Sequence, residues 1–191
     1  MDVEELKREI SLRMPVERYE HVLRVAETAK ELAKKYQVSV SKAEKSALFH
    51  DIAKFMDRKS LRLILEKENL DSRLLLFHHE LWHGPVGAVI ARQEFGIEDE
   101  EVLNSIRYHT TGRSGMSTLE KIIYVADMIE PDREFPGIEH LRRIAFENID
   151  EIMGACIHQS VQFLVSKGAP VFPDSIDCYN EQAFKRGNVR I

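Results

Sequence analysis

Apolar residues in this 191-residue chain recur at helical spacing along almost its whole length, and no stretch alternates with the period of two that a half-buried strand requires. A chain patterned in this way buries its surface by packing amphipathic helices on one another. Val22, Val25, Ala26, Ala29, Leu32, Ala33 and Tyr36 share one face of such a helix, with Pro15 suited to its first turn. Ser41-Lys42-Ala43-Glu44 reads as a capping box that opens a helix running through Phe55. The spacing predicts further helices over 58–69, 85–95, 99–109, 118–129, 138–146, 150–167 and 175–186, with Gly96, Gly112, Gly115, Gly137 and Gly168 at the joints. No repeat, linker or low-complexity stretch divides the pattern. The expected fold is all-α, one domain over residues 1–191, with peripheral N-terminal and C-terminal helices.

No apolar run approaches the roughly 20 residues that cross a bilayer, and the acidic, amphipathic start has neither the apolar core nor the small-residue cleavage site of a secretory signal. The sequence therefore reads as cytoplasmic and not membrane-bound. Acidic residues number 32 against 27 Lys plus Arg, a formal charge of -5, which argues against a nucleic-acid partner. Cys156 and Cys178 form no metal or redox motif and read as reduced thiols on helices.

The eight histidines are more informative. His50-Asp51 stands between Ala47-Leu48-Phe49 and Ile52-Ala53, on a segment whose apolar flanks direct it into the core. A carboxylate buried there costs several kcal/mol unless it is neutralised. A divalent metal would neutralise it, and imidazole with carboxylate suits iron, manganese, cobalt or zinc. One His-Asp pair cannot complete a coordination sphere, so further donors must arrive from other helices. His21 lies on the inner flank of the Val22 helix, His83 heads Trp82-His83-Gly84-Pro85, His109 closes an apolar-faced helix, and Asp127 interrupts the apolar run 122–129.

The order His, His-Asp, His, His, Asp on successive helices resembles the HD-domain metal-dependent phosphohydrolase superfamily. With His83 and His109 both present, it resembles the branch with two metal sites. Arg18-Tyr19-Glu20-His21-Val22-Leu23-Arg24-Val25, Trp82-His83-Gly84, His109-Thr110-Thr111-Gly112, Ala126-Asp127-Met128-Ile129-Glu130-Pro131-Asp132-Arg133 and Phe135-Pro136-Gly137 are similar to the YqeK family of bacterial symmetrical diadenosine tetraphosphate hydrolases. The likeness runs from about residue 10 to 184, including Tyr179-Asn180.

That resemblance implies a single HD-domain helical bundle in which His21, His50, Asp51 and Asp127 hold one metal, His83 and His109 the second, and Asp51 bridges them. It implies two divalent ions, iron by family likeness, a dinucleoside polyphosphate as substrate and a nucleoside diphosphate as product; a homodimer is compatible with it. Such a metal pair lowers the pKa of a shared water toward neutrality and braces phosphoryl oxygens, so no serine or cysteine nucleophile is needed. A polyanionic substrate needs local cations. Lys54, four residues after His50, Arg113 after the His109 element, and Arg133 after Asp127 are the candidates. Asp51, Lys54 and Arg133 are the expected catalytic residues. Lys54, Thr110, Thr111, Arg113 and Arg133 are the expected substrate contacts. His78 and His79 read as loop surface, and His140 and His158 carry no partner pattern.

Two other readings share these residues. A nucleotidase or cyclic-nucleotide phosphodiesterase would use the same site. A non-catalytic di-metal sensor in a helical bundle would usually draw its carboxylates from Glu-x-x-His spacings, which contrast with an adjacent His-Asp and nearby Lys54 and Arg133.

Overall fold

Ten α-helices follow one another in the computed structural model, which describes residues 3–185 and 187, and no strand occurs among the described residues. Residues 1, 2, 186 and 188–191 lie outside the described residues. The ends of the 1–191 domain reading and the last residue of the 175–186 helix fall on them. The helices are α1 Val3–Ser11, α2 Val16–Lys35, α3 Val40–Phe49, α4 Arg58–Lys67, α5 His83–Phe95, α6 Glu100–Arg107, α7 Thr118–Ile129, α8 Ile138–Ile144, α9 Ile149–Ser166 and α10 Pro173–Lys185. Two short 3-10 turns, Ser72–Leu76 and His79–Leu81, join α4 to α5. No helix among the described residues is long and apolar enough to cross a membrane.

The centre is a layer of α2, α3, α6 and α7. α2 packs on α3 and α7, α6 packs on α5 and α7, and α9 lies between α7 and α10. The face read from Val22 to Ala33 is buried in this layer, together with Phe49, Leu103, Ile106, Leu119, Ile122 and Ile123. α1 closes one edge through Leu6 and Ile10. At roughly 1.5–3 kcal/mol for each large apolar side chain removed from water, this shared core holds together elements distant in sequence.

Several boundaries differ from the sequence expectation. The cap of α3 is Ser39, whose hydroxyl accepts from the Lys42 amide at 3.3 Å, so the box read at Ser41 is one turn fragment too late. A capping box does form at α7, where Ser117 and Glu120 bond each other's main-chain amides. α3 ends at Phe49 rather than Phe55. The chain then advances by tight turns, Ile52 N to Phe49 O and Lys54 N to Asp51 O. α6 likewise stops at Arg107, leaving His109 beyond it. The glycine joint at the end of α5 is as expected: Gly96 takes φ 67°, a left-handed value that costs a side-chain-bearing residue about 1 kcal/mol or more.

Candidate metal centre

Near the ends of α3 and α6 an imidazole takes a main-chain carbonyl, and this orients the site. The His50 ring donates from Nδ1 to Ala47 O at 2.6 Å, the carbonyl that the Asp51 amide would take if α3 continued. The His109 ring does the same with Ile106 O at 2.8 Å, and His83 with Glu80 O at 2.6 Å. In all three the acceptor is the carbonyl three residues earlier. Each ring is thereby fixed as the Nδ1–H tautomer, with the Nε2 lone pair turned inward. His21, inside α2, is held differently: its Nδ1 donates to Glu130 Oε1 at 3.1 Å.

The four Nε2 atoms surround two carboxylates. His21 Nε2 lies 3.1 Å from Asp127 Oδ1 and 3.9 Å from Asp51 Oδ2. His50 Nε2 lies 3.3 Å from Asp51 Oδ2 and 4.0 Å from Asp127 Oδ1. On the other side of Asp51, Oδ1 is 3.1 Å from His83 Nε2 and 3.7 Å from His109 Nε2. Asp51 thus faces one pair of histidines with each oxygen. Two overlapping sets, His21 with His50 and Asp127, and His50 with Asp51 and His109, bring their ligand atoms within 4.8 Å of one another.

This donor set fits divalent metal. His21 Nε2 and His50 Nε2 are buried without a hydrogen-bond partner, and orphaned polar atoms of that kind cost about 1–3 kcal/mol each unless something occupies them. The Nε2 atoms of His83 and His109 stand 3.0 Å apart. With both Nδ1 atoms donating to carbonyls, two lone pairs face each other, an arrangement that a cation relieves. Burial pushes the His83 ring down to about 4, which keeps it neutral and able to ligate near pH 7.

The cluster meets solvent along Asp127, whose side chain is 23% exposed. Arg133 stands there, donating to Asp127 Oδ1 at 2.6 Å. Arg142 of α8 pins the turn that carries Arg133, donating to the main-chain oxygens of Ile129, Glu130, Pro131 and Arg133. Lys54 reaches the outer edge by the turns after α3, not as the next residue on a helical face, and its ammonium pairs with Glu80. Thr110 Oγ1 is buried beside His109 without a partner. Thr111 is buried in the wall of a cleft shared with Pro85, Tyr108 and Phe172. Arg113 is committed elsewhere, donating to both Glu120 oxygens at 2.7 and 3.1 Å.

His78 caps the 3-10 turn before His83, accepting from the Glu80 amide, and His79 packs edge-on toward Trp82. His140 meets Arg143, and His158 lies near Tyr179. Cys156 and Cys178 are buried thiols. Two charged groups at the centre escaped the sequence reading. Arg18 brings Nε to 2.6 Å from Asp51 Oδ2, and Glu130 backs His21. Each lies three residues from a ligand candidate, Arg18 before His21 and Glu130 after Asp127. For Arg18, on α2, the i, i+3 relation to His21 on a helix face was the signal that could have found it, whereas Glu130 lies just past the end of α7.

Comparison with known proteins agrees with this geometry. The HD domain pattern matches residues 18–132, a span that holds every histidine and aspartate of the cluster. The symmetrical bis(5'-nucleosyl)-tetraphosphatase of Bacillus subtilis is 45% identical over 163 residues, 85% of this chain and 88% of that protein. The protein of the same name from Staphylococcus aureus is 41% identical over 182 residues, 94% of each chain. A crystal structure described as a predicted HD superfamily hydrolase involved in NAD metabolism, from Clostridium acetobutylicum, superposes with a TM-score of 0.92 at 34% identity, covering 97% of this chain and 98% of that one. An HD domain implies divalent-metal binding, for which the His/Asp cluster supplies the donors. By pattern, relatives and fold, the chain belongs to the HD domain family, alongside the symmetrical bis(5'-nucleosyl)-tetraphosphatases.

Proposed function

We propose that the chain is a metal-dependent hydrolase that splits diadenosine tetraphosphate, and related dinucleoside tetraphosphates, symmetrically into two nucleoside diphosphates. The observation that carries the reading is the set of four histidine rings, each anchored through Nδ1, that turn Nε2 toward Asp51 and Asp127. The relatives named symmetrical bis(5'-nucleosyl)-tetraphosphatase supply the substrate and the symmetry. In this reading His21, His50, Asp51 and Asp127 would hold one ion and His83 and His109 a second, with Asp51 shared between them. Iron is our choice of metal. When bound, such ions act as Lewis acids on the phosphoryl oxygens and on the attacking water.

The chain's own groups do the remaining work. Arg133 and Lys54 take substrate phosphate oxygens at the solvent edge, placing the tetraphosphate as charge develops on it. The Thr110 hydroxyl donates to the same chain, with Thr111 and Arg113 lining the approach of one nucleoside half. Asp51 orients the attacking water against the phosphorus. Equal halves require that one of the two inner phosphorus atoms be attacked, so the outer phosphates and nucleosides serve as handles. The function resides in one domain, with α1 and α10 at its edges.

Product chromatography under anaerobic conditions tests this. Diadenosine tetraphosphate gives ADP as the sole nucleotide product, and in labelled water one of the two ADP molecules carries a single solvent oxygen on its terminal phosphate. Formation of ATP plus AMP would overturn the symmetry. Faster release of phosphate from mononucleotides would select the nucleotidase reading, and metal uptake without hydrolysis the sensor.

A further inference from the structure

His50, His83 and His109 each sit where a helix has ended or is about to begin, and so can use their own backbone as an anchor. His21 cannot. It lies in the second turn of a 20-residue helix, where the Arg18 carbonyl three residues earlier belongs to the α2 ladder. Its anchor comes instead from the far end of α7: Glu130 Oε1, 3.1 Å from Nδ1 and 109 positions away in sequence. Glu130 is only 2% exposed. Besides His21, two donors fix it, Arg24 Nε at 2.7 Å and the Asp132 amide at 3.0 Å, both on Oε2. Oε1 is therefore left for the imidazole. The carbonyl anchors of the other rings are neutral, whereas this one is a carboxylate.

We propose that Glu130 is a positioning residue for the metal centre: it fixes the tautomer and tilt of His21 so that Nε2 faces Asp127, and its charge strengthens His21 as a donor. The metal position built on His21, His50 and Asp127 then depends on Glu130, whereas the position built on His83 and His109 does not. This rests on the metal-hydrolase reading above. A purely structural Glu130 would tie α7 to α2 through Arg24 and would be indifferent to metal.

Zinc titration of the metal-free full chain against a chromophoric chelator separates these roles, alongside thermal melts of the same metal-free samples. For the wild type we expect two zinc ions. Glu130→Ala should weaken one of them by about 10–100-fold and leave the other within about three-fold. Glu130→Gln keeps an amide oxygen for Nδ1 and should show a smaller loss at the same position. Arg24→Gln removes the ion pair but keeps the His21 anchor, so its melting temperature falls while both zinc affinities stay within about three-fold of wild type. Wild-type zinc binding by Glu130→Gln and Glu130→Ala overturns the proposal, and so does an Arg24→Gln variant that loses as much affinity as Glu130→Ala. If Glu130→Ala does not fold, unchanged zinc binding by Glu130→Gln is sufficient to overturn it. A wild-type chain that takes up no zinc overturns the metal reading as well, a result distinct from unaffected variants of a zinc-binding parent.

Discussion

Arg133 holds Asp127 by two contacts, Nη2 on the carboxylate at 2.6 Å and Nε on the main-chain oxygen at 3.0 Å. The guanidinium is therefore already ordered on the side where the cluster meets solvent, and a substrate phosphate arriving there finds a cation whose orientation has been set in advance. Arg133→Ala should lower kcat/KM by about 10–100-fold with metal content unchanged, and Arg133→Lys should recover part of it. Steady-state kinetics with metal analysis on the same samples checks this. Metal loss in proportion to activity would instead make Arg133 a support for Asp127.

The pairing of Lys54 with Glu80 gives an opposite-signed pair of effects. Glu80 lies three residues before His83, and its side chain is about half exposed. The hydrogen bond from Lys54 lowers its carboxyl below the ordinary value, so it is ionised across the neutral range. Removing that charge in Glu80→Gln should free Lys54 for phosphate and lower KM for a tetraphosphate by about two- to five-fold, whereas Lys54→Ala should raise it. Both effects should shrink with added salt. Identical KM values in the two variants would remove Lys54 from the binding site.

The helices were legible because their stripes repeat at 3.6 residues, and the ligand candidates because His50, His83 and His109 are polar groups inside apolar runs, which are costly without partners. The ends of α3 and α6 were not legible. Nothing directly after Phe49 in the sequence breaks a helix; at α3 the His50 imidazole takes the Ala47 carbonyl that the Asp51 amide would need. The cap at Ser39 was hidden for a related reason, since Ser41-x-x-Glu44 satisfies the same spacing and only the backbone geometry chooses between the two serines. Arg18 and Glu130 carry no individual role in the sequence reading, because charge alone does not reveal burial. Arg113 is engaged with Glu120 of the next helix's capping box, a contact that its place beside a ligand element does not announce.

Gly84 lies where α5 meets the end of α6. A Cβ there would stand 2.9 Å from Arg107 O, 3.3 Å from Ile106 O and 3.4 Å from His109 Nδ1. The obstruction is main chain, and Ile106 O is the acceptor that orients His109. Gly84→Ala should cost about 1–3 kcal/mol of stability and impair metal binding at the His83 and His109 end. Gly87→Ala is the control, because its nearest contacts of 3.4–3.7 Å are ordinary and alanine favours the helix by about 1 kcal/mol over glycine. Thermal melts with metal titration distinguish the two; equal tolerance of both substitutions would contradict the packing argument.

Glu181 of α10 fastens the loop that follows His109, accepting from the Ser114 hydroxyl at 2.6 Å and the Gly115 amide at 2.5 Å, and from Lys185 at 2.6 Å. Burial would raise its carboxyl, but these donors outweigh burial and bring it from the ordinary 4.5 down to about 2. A group whose pKa is lower in the folded than in the unfolded chain stabilises the fold above its unfolded value, and that contribution disappears as pH falls from 4.5 through 2. Glu181→Gln should therefore cost about 1–3 kcal/mol at pH 7, allowing for partial exposure of the side chain. At pH 3.5, where an unfolded glutamate is mostly protonated, the deficit relative to wild type should shrink by about 1 kcal/mol. Urea unfolding of both proteins at the two pH values measures the difference. A deficit that stays constant with pH would mean that the amide loses packing or geometry rather than ionised hydrogen bonds, and the loop would then be held by contacts other than the Glu181 charge.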